Sequence, residues 1–167
     1  MKKIASLLVL LFVFMACSNA VKEKTSFSKE ALQETLLSRK GNQVSFESIL
    51  EENKGKTTVI EIWASWCGDC IQAMPKLKEL QANHPELNYV FISMDKSDRA
   101  WQNGIEKHQL KGSHFMANDQ MKGKFAKAID LDWIPRYIII DKTGNIALYR
   151  AIETDFKEIS ETIIRLK

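Results

Sequence analysis

The stretch Trp66-Cys67-Gly68-Asp69-Cys70 decides the fold, because its CxxC pair stands between two segments of clear pattern. Residues 57–63 are β-branched and mostly apolar, which indicates a buried strand, and residues 71–81 have the apolar spacing of a helix. Free backbone N–H groups and the dipole at a helix start stabilise a thiolate, so Cys67 is predicted to be the exposed nucleophile. Cys70, one turn later, is predicted to be the buried resolving thiol.

The alternative use of this cysteine pair is a zinc site. Structural zinc usually takes about four ligands, from two CxxC pairs or from one pair with two histidines. The remaining cysteine is Cys17, and the histidines stand at no ligand spacing: His84, His108 and His114. The pattern therefore favours a redox-active disulfide, and neither a metal nor another cofactor is expected.

Glu61 interrupts the apolar strand that leads to the cysteines. A carboxylate in a buried strand is costly unless it is paired or takes part in chemistry, and burial raises its pKa. We interpret Glu61 as the group that exchanges a proton with Cys70. The alternative is a glutamate at the wet end of the strand or paired with a lysine.

The composition is that of a soluble domain: 45% of the 167 residues are hydrophobic and 27% are charged. The formal charge of +3 becomes nearly neutral once Lys2 and Lys3 leave with a leader. There is no basic run, so no nucleic-acid partner is expected, and a monomer is expected. The sequence has no GxGxxG or P-loop motif, so electrons must arrive from another protein.

The N-terminus has the pattern of an export signal. Residues 1–16 combine two lysines with an apolar run shorter than the roughly 20 residues that span a bilayer, and they are predicted to be a signal peptide. Ala16 before Cys17 resembles a lipoprotein cleavage site, and acyl chains on Cys17 would anchor the protein. The alternative is an ordinary signal peptide with an incidental cysteine.

The rest of the chain divides into a tether and one domain. Residues 17–41 are predicted to be a lipid-anchored tether with a short helix over 28–37, and residues 42–167 a single domain. Strands are predicted at 57–63, 87–94, 113–116, 137–140 and 146–149, with helices at 97–110, from 118 or 119 to 129 and from 155. This alternation predicts an α/β/α three-layer sandwich with a mixed sheet.

The residues described so far resemble the TlpA/ResA-like group of thioredoxin-fold thiol-disulfide oxidoreductases. Residues 61–70 look like the thioredoxin strand and active site, Pro75 like its helix proline, and Ile134-Pro135 like its cis-proline loop. The long segment between Cys70 and Pro135 resembles the central helix–strand insertion of this group. The resemblance covers residues 42–167 and implies the thioredoxin fold.

The resemblance also implies a function. It implies a lipoprotein of the bacterial cell envelope, facing the periplasm, that reduces disulfide-bearing proteins with electrons from a membrane donor protein. Maturation of c-type cytochromes is one such role, and Trp66, Ile134 and Pro135 would bind the substrate chain. A disulfide oxidase or isomerase, a copper-binding chaperone and a non-catalytic lipoprotein on the same fold remain alternatives.

Overall fold

The computed structural model describes residues 24–167. Helices and strands alternate along most of this part of the chain, as the sequence pattern predicts. In chain order they are α1 (Lys29–Gln33), β1 (Thr35–Ser38), β2 (Gln43–Ser45), α2 (Phe46–Glu52), β3 (Thr58–Trp63), α3 (Gly68–Asn83), β4 (Asn88–Ser93), α4 (Asp98–His108), β5 (Ser113–Ala117), a 3₁₀ turn (Gln120–Lys122), α5 (Lys124–Ala128), β6 (Arg136–Ile140), β7 (Ile146–Ala151) and α6 (Phe156–Arg165).

The strands form one mixed sheet in the order β2-β1-β5-β4-β3-β6-β7. β3, β4 and β5 are parallel, whereas β6 runs antiparallel to β3 and β1 runs antiparallel to β5. Every residue of β3 and of β6 is buried, so both faces of the sheet centre must be covered. The predicted mixed sheet is confirmed, and α4 with β5 forms the predicted helix–strand insertion.

The helices divide into two groups that cover the two faces. The connections β3–α3–β4 and β4–α4–β5 step in the same direction across the sheet, so right-handed crossovers place α3 and α4 on one face. Lys76 of α3 lies 5.7 Å from the ring centroid of Phe156, which brings α6 to the same face. Ring contacts from Phe46 to Phe27 and to Phe125 join α1, α2 and α5 in the second group. The α/β fold with three layers is therefore confirmed.

The N-terminal part of the described chain differs from the prediction. The helix predicted over 28–37 ends at Gln33, and Thr35–Ser38 is a strand because its backbone pairs with both β2 and β5. Leu36 of this strand is completely buried. The sheet and the core thus begin before the predicted domain start at residue 42, and part of the predicted tether belongs to the folded unit.

The segment before β6 also differs from the prediction of one helix from residue 118 or 119 to 129. A 3₁₀ turn and α5 take its place, and Gly123 between them has an extended backbone with ψ −178°. The backbone N–H of Lys124 donates to the side chain of Asp119, so this aspartate satisfies the start of α5 rather than that of one long helix.

The inserted helix α4 approaches the end of β3 closely at Gly104. A Cβ atom on this residue would lie 2.8 Å from Ser65 Cβ and 3.0 Å from Trp63 Cη2. Glycine is therefore the residue that lets α4 pack directly on the loop between β3 and α3, which carries the cysteines.

Candidate active site

The two cysteines form a disulfide in this structure. Cys67 and Cys70 are joined by an S–S bond of 2.11 Å, with their Cα atoms 5.3 Å apart. Cys67 is the N-cap residue of α3, and the backbone N–H of Cys70 donates a hydrogen bond of 3.1 Å to its sulfur. After reduction, this N–H group and the positive end of the helix favour a thiolate on Cys67.

The two sulfur-bearing residues differ in their access to solvent. Cys70 is completely buried, whereas Cys67 keeps 6% of its surface exposed beside Trp66, which is 56% exposed. Cys67 is less open than the sequence analysis predicts, because the neighbouring loop covers it. A partner protein would reach the disulfide from the side of Cys67.

That neighbouring loop is the one that contains Ile134 and Pro135. Their peptide bond is cis, and the carbonyl oxygen of Ile134 lies 3.5 Å from Cys67 Sγ. Both side chains are buried, so the loop meets the disulfide through its backbone. Trp133, which the sequence analysis does not single out, is 51% exposed on the same loop.

Ion pairs connect this loop to strands β6 and β7. Arg136, the first residue of β6, is 3% exposed and pairs with Asp132, which also pairs with Arg150 of β7. The hydrogen bond from Arg136 lowers the pKa of Asp132, although this carboxylate is exposed and solvent screens the effect. The loop is therefore attached to the sheet on both sides of the cis peptide.

Glu61 occupies the middle of β3 and is 1% exposed. The hydroxyl of Tyr137 on β6 donates a hydrogen bond of 3.2 Å to Glu61 Oε1, while Oε2 has no partner among residues 24–167. Burial raises the pKa of Glu61 to about 8, against the opposing effect of the tyrosine. The side chain is therefore able to accept or release a proton near neutral pH.

A series of side-chain contacts shows which face of the sheet Glu61 occupies. Tyr137, its hydrogen-bond donor, packs edge-on against Phe156 of α6 with ring centroids 5.2 Å apart. Lys76 of α3 lies over the ring of Phe156 as well, with its Nζ 5.7 Å from the centroid. Glu61 thus faces the layer that contains α3, the helix on which Cys70 is buried.

A second buried carboxylate, absent from the sequence-based candidates, lies at the end of β4. Asp95 is 2% exposed and accepts hydrogen bonds from Ser65 N at 3.0 Å, Ser65 Oγ at 2.7 Å and Ser93 Oγ at 2.7 Å. Ser65 belongs to the loop that carries Cys67. The sequence signal that could have revealed Asp95 is a charged residue directly after an apolar strand.

Two predicted features are not part of the described structure. Cys17 and the predicted signal peptide lie outside residues 24–167. Within that range, no group of three or more His, Cys, Asp and Glu side chains is placed to hold a metal. None of the helices described there has the length and apolar character needed to cross a membrane.

Comparisons with known proteins agree with this geometry. A family model described as Redoxin matches residues 22–162. The chain is 27% identical to the thiol-disulfide oxidoreductase ResA of Bacillus thuringiensis over 75% of its own length and 69% of the relative's. It is 25% identical to the thiol-disulfide oxidoreductase YkuV of Bacillus subtilis, covering 74% of this chain and 84% of that one.

A solved structure extends the comparison to three dimensions. The solution structure of a Bacteroides vulgatus protein described as a thiol-disulfide oxidoreductase superposes with a TM-score of 0.65 and 32% identity. The superposition covers 81% of this chain and 88% of that one.

Proposed function

The chain belongs to the Redoxin family, and from this premise we propose that it reduces disulfides of extracytoplasmic proteins while anchored to a membrane through Cys17. Its chemistry is that of a thioredoxin-like thiol-disulfide oxidoreductase of the ResA type, with Cys67 and Cys70 as the redox pair. We propose three further properties: the direction of electron flow, the membrane anchor and the class of substrates.

The observation that carries the proposal is the contact between the disulfide and the proline loop. The carbonyl oxygen of Ile134 lies 3.5 Å from Cys67 Sγ, so a polypeptide that pairs with this backbone in an extended conformation brings its own disulfide to the sulfur of Cys67. Trp66 borders the same position and is more than half exposed, which offers apolar surface to the substrate chain.

The reaction has two exchange steps. The Cys67 thiolate attacks one sulfur of the substrate disulfide, forms a mixed disulfide and releases the other substrate sulfur as a thiolate. Cys70 then loses its proton and attacks Cys67 Sγ, which breaks the mixed disulfide and releases the second substrate thiolate. Two electrons pass from the dithiol to the substrate, and the two released thiolates take protons.

Glu61 is proposed to accept the proton of Cys70 in the second step. Cys70 is completely buried, so water does not readily remove its proton. Glu61 faces the layer of α3, and its Oε2 has no hydrogen-bond partner among residues 24–167. Its pKa of about 8 lies close to the ordinary value of a thiol, about 8.5. Proton transfer between groups of similar pKa is nearly balanced and therefore runs in either direction.

The proposed location depends on the N-terminal sequence and not on the folded part. The export pattern over 1–16 and the Ala16–Cys17 junction support acylation of Cys17 and attachment to the bacterial cell envelope on the periplasmic side. Incorporation of labelled fatty acid into the wild type and its loss in Cys17→Ser tests the anchor. The same label retained by Cys17→Ser would contradict this assignment.

The reducing direction requires a supply of electrons. Because the sequence contains no nucleotide-binding motif, a membrane protein that donates electrons through its own thiols is the proposed partner. A measured reduction potential near that of thioredoxin, about −270 mV, supports reduction, whereas a value near −120 mV indicates an oxidase.

Trapping of the mixed disulfide is the direct test of the proposed function. A Cys70→Ala variant expressed in its host should hold exported proteins on Cys67 as dithiothreitol-sensitive adducts, which mass spectrometry identifies. The Cys67→Ala, Cys70→Ala double variant is the matched control and should hold none. Equal amounts of adduct in the two variants, or none in either, would contradict the proposal.

A further inference from the structure

We propose that Tyr137 positions the carboxyl group of Glu61: its hydroxyl holds Oε1 and leaves Oε2 as the oxygen that exchanges a proton with Cys70. The part that concerns Cys70 rests on the proposed function, whereas the hydrogen bond and its effect on Glu61 do not. Tyr137 touches neither substrate nor sulfur in this assignment, so it is a positioning residue.

The register of the sheet places the two residues together. Glu61 and Tyr137 are directly opposed in the antiparallel pairing of β3 with β6, and side chains opposed in this way point to the same face. The resulting hydrogen bond measures 3.2 Å, and both residues are at most 1% exposed. A hydrogen bond in such surroundings is electrostatically stronger than one in water, which favours its retention during the redox cycle.

The two oxygens of Glu61 are consequently unequal. Oε1 has a donor, while Oε2 is buried without any partner among the described residues. A protonated carboxyl carries its proton on one oxygen only, and the oxygen that already accepts from Tyr137 is the poorer place for it. The orphaned Oε2 is therefore the atom that gains and loses the proton.

Few other ionisable groups compete with Tyr137 for this role. On the same face they are Cys70 and Lys76 of α3, Tyr89 of β4, His114 of β5 and Glu153 between β7 and α6, while β4 places the apolar Phe91 opposite Glu61 and next to His114. The charged residues of α6 are exposed: Lys157, Glu158, Glu161 and Arg165. Tyr137 itself stays protonated, because burial first and the nearby Glu61 second raise the pKa of its hydroxyl.

The chemical step balances with these atoms. When Cys70 attacks the mixed disulfide, its S–H proton moves to Glu61 Oε2, the Cys70–Cys67 bond forms and the bond from Cys67 to the substrate sulfur breaks. Reduction of the enzyme by its thiol donor reverses the proton movement, from Oε2 to the Cys70 sulfur. Tyr137 donates to Oε1 throughout and transfers no proton.

Titration of Glu61 in the oxidised full chain tests the positioning role without any assay of activity. Glutamate labelled with ¹³C at Cδ gives a Glu61 signal that Glu61→Gln removes, and its midpoint in the wild type is expected near pH 8. Tyr137→Phe removes the donor and keeps the ring that packs on Phe156. The carboxylate loses the one hydrogen bond that it accepts within the described part of the chain, so the midpoint should rise by about one pH unit.

A matched control is available in Tyr89→Phe. Its hydroxyl is also buried, but it donates to the carbonyl oxygens of Leu80 and His84. This variant should leave the Glu61 midpoint unchanged. An unchanged or lower midpoint in Tyr137→Phe, or an equal rise in both variants, overturns the proposal.

The pH profile of the second exchange step provides the functional readout. Release of a peptide from its mixed disulfide with Cys67, measured in a single turnover, should shift to higher pH in Tyr137→Phe together with the NMR midpoint. An NMR shift without a shift in release removes the link to Cys70 only. A wild type that never forms the mixed disulfide contradicts the proposed function and leaves the titration result intact.

A measurement on the wild type covers the case in which Tyr137→Phe does not fold. The chain has three tyrosines, so ¹³Cζ labelling with Tyr89→Phe and Tyr149→Phe assigns the signal of Tyr137 by elimination. That signal should move with the same midpoint as Glu61, because the two groups share one hydrogen bond. A Tyr137 signal that is constant from pH 6 to 10 overturns the positioning role.

Discussion

One buried carboxylate, Glu61, lies within β3, and another, Asp95, follows the end of the adjacent strand β4; their hydrogen-bonding surroundings differ. Asp95 accepts hydrogen bonds on both oxygens, from the backbone and hydroxyl of Ser65 and from the hydroxyl of Ser93. Glu61 accepts one, from Tyr137, and keeps its second oxygen without a partner among the described residues. The exposed fractions of the two side chains are almost the same, 2% and 1%.

The number of hydrogen-bond donors indicates the role of each carboxylate. Asp95 accepts from the backbone and the hydroxyl of Ser65, so it ties the end of β4 to the loop that carries Cys67. An oxygen buried without a partner favours protonation, so Glu61 is suited to proton exchange. Burial alone does not separate a structural acid from a functional one, whereas the count of donors does.

The largest effect is expected for Asp95→Ala. Removal of this carboxylate leaves the hydroxyl and the backbone N–H of the half-buried Ser65, and the hydroxyl of the buried Ser93, without their acceptor, and such networks are costly to break. We expect the free energy of unfolding to fall by roughly 3 kcal/mol, measured by urea denaturation of the oxidised protein. A fall below about 0.5 kcal/mol, the usual effect of a surface substitution, would show that Asp95 does not hold the loop.

The second effect concerns Glu61→Gln, which keeps the size of the side chain and removes its proton exchange. We expect the rate of the second exchange step to drop on the order of 100-fold at pH 7, because a positioned acid or base contributes about that much. Urea denaturation at the same pH should show little loss of stability. The comparison fails if Glu61→Gln destabilises the protein as strongly as Asp95→Ala and leaves the rate unchanged.

The third effect is the dependence of stability on pH. The folded chain holds the proton of Glu61 up to about pH 8, whereas an unfolded glutamate releases it near its ordinary pKa of 4.5. Between these values the folded state binds more protons, so this contribution to stability is complete below pH 4.5 and is lost as the pH rises through 8. The loss should approach about 1.4 kcal/mol per pH unit.

Glu61→Gln provides the reference for that slope. Denaturation of both proteins from pH 5 to 8 gives two curves, and their difference isolates the contribution of this one carboxyl group. The wild type should lose stability relative to the variant as the pH rises. Parallel curves, or a difference of the opposite sign, would mean that Glu61 is already ionised in the folded protein.

The smallest effect is expected for Ser93→Ala. This hydroxyl is one of several donors to Asp95 and also accepts from the backbone N–H of Asp95 at 2.9 Å. Its removal leaves Asp95 with both bonds from Ser65, so the unfolding free energy should fall by about 1 kcal/mol. A loss as large as that of Asp95→Ala would place the stabilising interaction at Ser93 instead of Ser65.

Glu61 can be recognised as a candidate from the sequence and Asp95 cannot, and the reason is physical. A charge inside an apolar strand is visible as a break in a local pattern, as is a CxxC pair between a strand and a helix. Asp95 follows its strand where a polar residue is ordinary, and its partner Ser65 lies on another element. The role of Tyr137 cannot be recognised from the sequence either, because only the register of β3 with β6 places it opposite Glu61.

The fold shows the same division between local and distant information. The strands β3, β4 and β6 and the helices α3 and α4 follow from their own apolar patterns, which match the structure within a few residues. Residues Thr35–Ser38 have a helix-like pattern and form a strand, because the edge of β5 provides a hydrogen-bonding partner that the local sequence does not indicate. Pairing with a distant strand outweighs local propensity here.

The close approach at Gly104 means that the inserted helix is not an independent module. Any larger side chain there would have to displace the side chains of Ser65 and Trp63, which flank the start of the segment that presents the redox sulfurs, since its Cβ would lie 2.8 Å from Ser65 Cβ. A chimera that exchanges the insertion with that of a relative therefore needs glycine at the matching position to retain the geometry of the reaction centre. The inserted helix α4, which has no counterpart in a minimal thioredoxin, is thus constrained by the active-site loop, which resembles thioredoxin most.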